Sequence, residues 1–132
     1  MYTIKDQFDP ELRKHIKSKT KTAIIPVGSM EQHGPHLPLS TDSDIVTEIC
    51  KRIAINKKYL LLPTIVYGVS FEHSPFFNIS IQNSTLRILL KNICESLKDN
   101  GIDTVFIING HHGNLNAIKG LEEKLSKLKV KI

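Results

Sequence analysis

Two uninterrupted apolar runs stand out, Ala23-Ile24-Ile25-Pro26-Val27 and Thr104-Val105-Phe106-Ile107-Ile108. Runs of this length predict strands buried on both faces, as in a parallel sheet. A third run, Tyr59 to Val66, predicts another strand that bends or ends near Pro63. Elsewhere the apolar residues recur at helical spacing. Asp9-Pro10-Glu11 opens one helix, which ends in the polar run Lys17 to Thr22. Thr41 or Asp42 opens a second, with Ile45, Val46, Ile49, Ile53 and Ala54 on its apolar face. Tyr67 to Asn83 reads as a long loop. Asn83 or Ser84 caps a third helix, with Leu86, Leu89, Leu90, Ile93, Cys94 and Leu97 inward, and Asn100-Gly101 closes it in a left-handed turn. Asn114 caps a fourth, with Leu115, Ile118, Leu121, Leu125 and Leu128 inward. Val130-Lys131-Ile132 reads as the opening of a fourth strand.

Strands alternating with helices imply an α/β fold, a mostly parallel sheet flanked by helices. With 132 residues and 40% hydrophobic content, one domain is expected over residues 1–132. The net charge of +5 raises the question of an anionic partner. The lysines gather in helical segments near the two ends, where such spacing makes a solvated face. No aromatic-rich strand or recognition helix accompanies them, so nucleic acid is not an expected partner. No apolar run approaches the ~20 residues that span a bilayer, so no membrane partner is expected. The opening Met1-Tyr2-Thr3-Ile4-Lys5-Asp6 lacks the apolar core of a signal peptide, and a cytoplasmic location is expected. Cys50 and Cys94 each sit in a helical apolar pattern and read as reduced core thiols.

The chemistry lies in two clusters that follow the two buried strands. The first is Glu31-Gln32-His33-Gly34-Pro35-His36-Leu37-Pro38-Leu39-Ser40-Thr41-Asp42, and the second is Asn109-Gly110-His111-His112-Gly113-Asn114. Sites in open α/β sheets form where loops leave the carboxyl ends of strands, so the clusters are expected to converge. Carboxylate with imidazole suits Zn²⁺, Mn²⁺, Fe²⁺ or Co²⁺ better than Mg²⁺ or Ca²⁺. Glu31 and His33 are two apart and point to one side of an extended segment. Asp42, near a helix start, has two oxygens with which to bridge two ions. A water shared by such ions is acidified and becomes a nucleophile for a carbonyl carbon. Glu31, His33, Asp42 and His111 are the expected ligands. His36 is left open between ligand and hydrogen-bonding loop residue. His15, on the surface of the first helix, and His73 read as non-ligands.

The stretch Pro26-Val27-Gly28-Ser29-Met30-Glu31-Gln32-His33-Gly34-Pro35-His36-Leu37-Pro38-Leu39, followed by Thr41-Asp42, resembles the first signature of the creatininase family of metal-dependent amidohydrolases. Asn109-Gly110-His111, closed by Gly113-Asn114, resembles its second signature. Tyr67-Gly68, Glu72-His73 and Asn78-Ile79-Ser80-Ile81 resemble its substrate-side loop. The resemblance runs from about residue 20 onward. It implies a three-layer α/β sandwich, two divalent metal ions (Zn, Mn or Fe), a small-molecule amide substrate, and assembly as a homo-oligomer, commonly a hexamer. Carried over, Glu31 and His111 hold one metal, His33 the other, and Asp42 bridges them. Ser80 and His112 fall where the substrate is bound. No catalytic step is assigned to Glu72 or His73.

Two departures qualify that expectation. Gly113 stands where creatininase itself has a glutamate that completes the second metal shell. Family members are also nearly twice as long, and the half that carries the proton-shuttling histidine has no counterpart here. A sheet truncated at its C-terminal side, with an exposed edge, is therefore expected. The functional expectation is cleavage of a C–N bond in a linear or cyclic amide. The alternative is a truncated, non-catalytic homologue, or one half of a split enzyme that binds metal or a complementary C-terminal chain. Among the family's substrates, a formylaminopyrimidine nucleotide is less expected, because Gln32, Pro35 and His36 keep the fuller first motif.

Overall fold

The computed structural model describes residues 3–125 and 127–132. Met1 and Tyr2, part of the opening read for a signal peptide, lie outside the described residues, as does Ser126, which falls in the segment where the sequence predicts the fourth helix. Helix α1 (Asp9–Ser18) leads into strand β1 (Thr22–Val27). Alternation along β1 builds the layers. Ala23, Ile25 and Val27 face one core and Ile24 the other, all fully buried. Strand β5 (Thr104–Asn109) lies beside β1 in parallel, from Thr22 opposite Thr104 to Val27 opposite Asn109. Its Val105 and Ile107 join the first core, and Phe106 and Ile108 turn to the second. Strand β3 (Leu60–Leu61) flanks β1, and strand β6 (Lys129–Lys131) flanks β5. The sheet order is β3-β1-β5-β6, all parallel.

Helix α2 (Thr41–Lys57) covers the face that carries Ile24 and Leu61. Helix α3 (Asn83–Asp99) covers the other face through Leu86, Leu90 and Cys94, with α1 packed beside it through Leu12 and Ile16. The expected three layers are therefore present. Gly101, at φ +95°, closes α3 in the expected left-handed turn. Among the described residues no helix is long and apolar enough to cross a membrane.

Five expectations need correction, the first being Leu89 of α3, which is exposed and not inward. The run Tyr59 to Val66 forms only the two-residue strand β3, because Pro26, the next residue of β1 turned toward β3 after Ile24, has no N–H to continue the ladder. The segment beyond still follows β1, with Ile65 N donating to the Pro26 carbonyl at 2.9 Å. On α2 the buried residues are Ser43, Val46, Cys50 and Ala54, whereas Ile45 and Ile49 are exposed. Small side chains let the helix approach the sheet, and the larger isoleucines sit outside that line of contact. The fourth helix is broken into α4 (Leu115–Ile118) and α5 (Leu121–Lys124) by Gly120 at φ +80°, and Leu115 is exposed. Last, the long loop contains strand β4 (Asn78–Ile79), which pairs antiparallel with strand β2 (Met30–Glu31). This ribbon stands above the carboxyl ends of β1 and β5.

Candidate metal centre

The two clusters meet at the ends of the paired inner strands. Val27 and Asn109 are register partners, and Gly110 N donates to the Val27 carbonyl at 2.8 Å. Gly28 lets the chain pass close against α2, since a Cβ there would lie 2.3 Å from Ser43 Oγ and 2.6 Å from Ser43 Cα. Ser43 Oγ then accepts from Ser29 N and donates to the Ser29 carbonyl, fixing the first loop on the helix. Asn114 is fully buried and joins three segments. Its Oδ1 accepts from Val69 N at 2.9 Å, and its Nδ2 donates to the Gly28 carbonyl at 3.0 Å and to Asn109 Oδ1 at 3.1 Å. It also precedes α4, but its side chain makes no cap hydrogen bond, so its expected capping role is replaced by this tether.

On this frame Asp42 sits between two imidazoles. Its Oδ1 lies 3.1 Å from His33 Nε2, and its Oδ2 lies 2.9 Å from His111 Nδ1. Ser29 Oγ donates to the same Oδ2 at 2.8 Å. Glu31, only 3% exposed, brings Oε1 within 3.2 Å of His111 Nδ1. Glu31, Asp42 and His111 thus present ligand atoms close enough to hold one ion.

The second nitrogen of each ring tells what the first one is. His111 Nε2 donates to the Val69 carbonyl at 2.9 Å, with Ser70 Oγ at 3.3 Å. His33 Nδ1 donates to the Glu31 carbonyl at 3.1 Å. A carbonyl only accepts, so each of these nitrogens carries the hydrogen. In the neutral rings, His111 Nδ1 and His33 Nε2 then turn bare lone pairs onto carboxylate oxygens. Lone pair facing lone pair is repulsive unless a cation, a proton or a metal ion, lies between them. A histidine fixed through its other nitrogen by a carbonyl is the usual arrangement at metal sites. The donor set fits a divalent ion of the zinc or manganese type.

The electrostatics agree. Burial alone would lower the His33 pKa, but the Glu31 carbonyl and the Asp42 carboxylate outweigh it and raise it above the ordinary imidazole value. Burial would raise Asp42, but the Ser29 hydroxyl and the Glu31 and His33 side chains hold it below the usual carboxylate range. Both shifts are those of a centre that attracts positive charge.

The remaining candidates fall at different distances from this centre. Ser80 is half-buried, and its Oγ accepts from Ser70 N at 3.1 Å and donates to Asn78 Oδ1 at 2.6 Å. His112 and His36 are exposed and do not join the converging groups. His15 is half-buried rather than on the surface. His73, read as a hydrogen-bonding residue and not a ligand, places Nε2 3.2 Å from Glu31 Oε2, and Glu72 Oε1 lies 3.6 Å from His111 Nε2; Glu31, Glu72 and His73 also bring ligand atoms close enough to hold an ion. No role at the centre is expected from the sequence for Gln32 or Ser29, and for Asn114 only that of a helix cap. Ser29 and Gln32 adjoin expected ligands in sequence, but only the folded loops show which polar neighbours turn inward. At Gly113 a Cβ would lie 2.3 Å from the Val69 carbonyl oxygen and 2.5 Å from His111 Nε2, so a side chain would collide with the ring it neighbours.

The chain is 38% identical over 120 residues to the mycofactocin precursor peptide peptidase of Mycobacterium ulcerans, covering 83% of this chain and 48% of the relative. It is 29% identical over 114 residues to the creatinine amidohydrolase of Pseudomonas putida, covering 80% and 44% respectively. The chain thus spans about half the length of these curated relatives. A crystal structure of creatinine amidohydrolase superposes with a TM-score of 0.85 at 24% identity, over 98% of this chain and 56% of that one. A manganese form of creatininase superposes with a TM-score of 0.86. The family model for creatininase, creatinine amidohydrolase, matches residues 6–131, and the chain belongs to the creatininase family of hydrolases.

Proposed function

We propose that this protein takes part in metal-dependent hydrolysis of a C–N bond in a linear or cyclic amide. One observation carries the reading. Two histidines, each fixed through one nitrogen by a backbone carbonyl, turn their other nitrogens onto the two oxygens of a single carboxylate, Asp42. Glu31, Asp42 and His111 would hold one divalent ion, and His33 with Asp42 a second. Zinc, manganese and iron suit that donor set. Ions bound there would polarise an amide carbonyl and acidify a water. The chain's own groups orient the centre: Val69 and the Glu31 carbonyl fix the imidazole rings, and Ser29 steadies Asp42. Ser80 and His112 are proposed as substrate contacts. The similarity to a peptide peptidase and to a creatinine amidohydrolase supports an amide substrate. A cytoplasmic location is proposed with it.

Elemental analysis of the purified chain and of Asp42→Ala tests the assignment. Two equivalents of metal are expected in the wild type, and loss of metal together with any hydrolysis in the variant. An Asp42→Ala protein that retains two ions would contradict the bridging role.

A second reading has its own support. His33 and Asp42 offer the second ion only two side chains, whereas a catalytic zinc commonly has three protein ligands. The chain also spans about half of its relatives. On this reading it binds one ion and hydrolyses nothing until another chain, a second copy or a complementary polypeptide, completes the shell. Calorimetric titration separates the readings. One zinc site with no turnover favours the second reading, and activity that appears on adding another polypeptide favours a split enzyme.

A further inference from the structure

Glu31 is almost fully buried, yet its Oε2 has no hydrogen-bond partner with good geometry. The group nearest to that oxygen among the ion pairs is His73 Nε2, at 3.2 Å. His73 lies at the end of a short helical turn, Phe71–His73, in the substrate-side loop. What it offers to Glu31 depends on where its ring hydrogen sits, and neighbouring bonds decide that. Gly34 N donates to Gln32 Oε1 at 2.9 Å. The Gln32 amide is thereby oriented, and its Nε2 faces His73 Nδ1 at 3.0 Å. An amide nitrogen only donates, so His73 Nδ1 must accept. The ring hydrogen of the neutral imidazole is left on Nε2, beside Glu31 Oε2. A metal ion at Nε2 would require the hydrogen to move to Nδ1, against the Gln32 amide. Reversing that amide would break the bond from Gly34 N, whose residue is held at φ +73°.

We propose that His73 is a positioning residue for the metal centre: Gln32 locks its tautomer, and its Nε2–H, 3.2 Å from the outer oxygen of Glu31 though off the line of a hydrogen bond, attracts that oxygen so that the inner one is left facing His111. The proposal rests on the metal reading above. It assigns His73 to Glu31 and not to the ion. The chain Gly34 N–H, Gln32, His73, Glu31 also links the turn of the first cluster to the substrate-side loop. A substrate that displaced that loop would loosen the hold on Glu31.

Two measurements test the assignment. The first needs no metal. Long-range ¹H–¹⁵N spectra of the metal-free protein labelled at histidine are expected to show His73 protonated at Nε2 and bare at Nδ1, and Gln32→Leu is expected to mix the two tautomers. The opposite tautomer in the wild type, or an unchanged single tautomer in Gln32→Leu, would overturn the lock. The second is zinc affinity, by competition with a chromogenic chelator. His73→Leu is expected to weaken the tighter site about 10–100-fold without changing the number of ions bound, the range seen when such supporting groups are removed. His73→Gln, whose amide N–H can reach the same place, is expected to recover most of that loss. Wild-type affinity in His73→Leu would overturn the proposal. Loss of a whole ion in both variants would overturn it too, by making His73 a ligand together with Glu31 and Glu72. If His73→Leu fails to fold, the spectra and His73→Gln still decide: that variant must keep every ion and near-normal affinity. A wild-type chain that takes up no zinc would instead refute the metal reading itself, and the tautomer spectra tell the two failures apart.

Discussion

Replacing Asn114 by alanine would test the frame beneath the site. The side chain is fully buried and serves Val69 N, the Gly28 carbonyl and Asn109 Oδ1. Asn109 Oδ1 keeps a second donor, His111 N at 3.2 Å. The Val69 amide and the Gly28 carbonyl lose the partners that tie them to this residue. A buried polar group left unsatisfied costs ~1–3 kcal/mol, so two such groups imply a loss of about 2–6 kcal/mol. Against a total stability on the order of 5–15 kcal/mol, that is a large fraction. Urea unfolding followed by circular dichroism reads it as a fall in midpoint with the slope unchanged. Metal affinity should fall as well, because Val69 also supplies the carbonyl that fixes His111. A loss below about 0.5 kcal/mol at equal slope, within the range of ordinary surface substitutions, would refute the tether. It would mean that water replaces the amide without penalty.

Gly113→Ala should cost about 1–3 kcal/mol, the usual range for overpacking, and should weaken metal binding, because its Cβ would press on the Val69 carbonyl and the His111 ring; wild-type thermal stability and zinc affinity together would count against that close approach. Burial pushes both Cys50 and Cys94 up to about 11. At pH 8 their thiolate fraction is then ~0.1%, and alkylation should track global unfolding; rapid labelling of the folded chain would show that these helices open locally. The same shift has a sign for stability: the unfolded thiols lose protons first, so stability falls as pH rises past their ordinary value of 9.0 and on towards 11. A denaturation series from pH 8 to 11 that showed rising stability would contradict this.

The parallel core was legible because β1 and β5 are apolar on both faces, and only a covered strand needs that. The convergence of the two clusters was expected because both leave the carboxyl ends of strands; that β1 and β5 are neighbours comes from the folded sheet. Other features depended on tertiary fit. Ile45, Val46, Ile49, Cys50, Ile53 and Ala54 form an apolar stripe wider than the contact, and composition alone did not show that the sheet takes the smaller members. Gly120 looks like one tolerated glycine within a helical pattern, yet its positive φ splits the helix. Two-residue strands such as β2 and β4 are too short for periodicity to reveal. The ligand candidates could be read as residue types grouped at strand ends. The role of His73 could not, because it depends on the orientation of the Gln32 amide, a feature set by one backbone N–H at Gly34.

The register of the two inner strands has one more consequence. The groups around Asp42 come from opposite ends of a separation of 69 residues in the chain, and they meet only once Val27 lies beside Asn109. On the proposed metal reading, any free energy gained from a bound ion is then added to the cohesion of the whole sheet. A chelator should therefore lower the temperature at which the metal-loaded molecule melts, as one unit, to that of the metal-free fold.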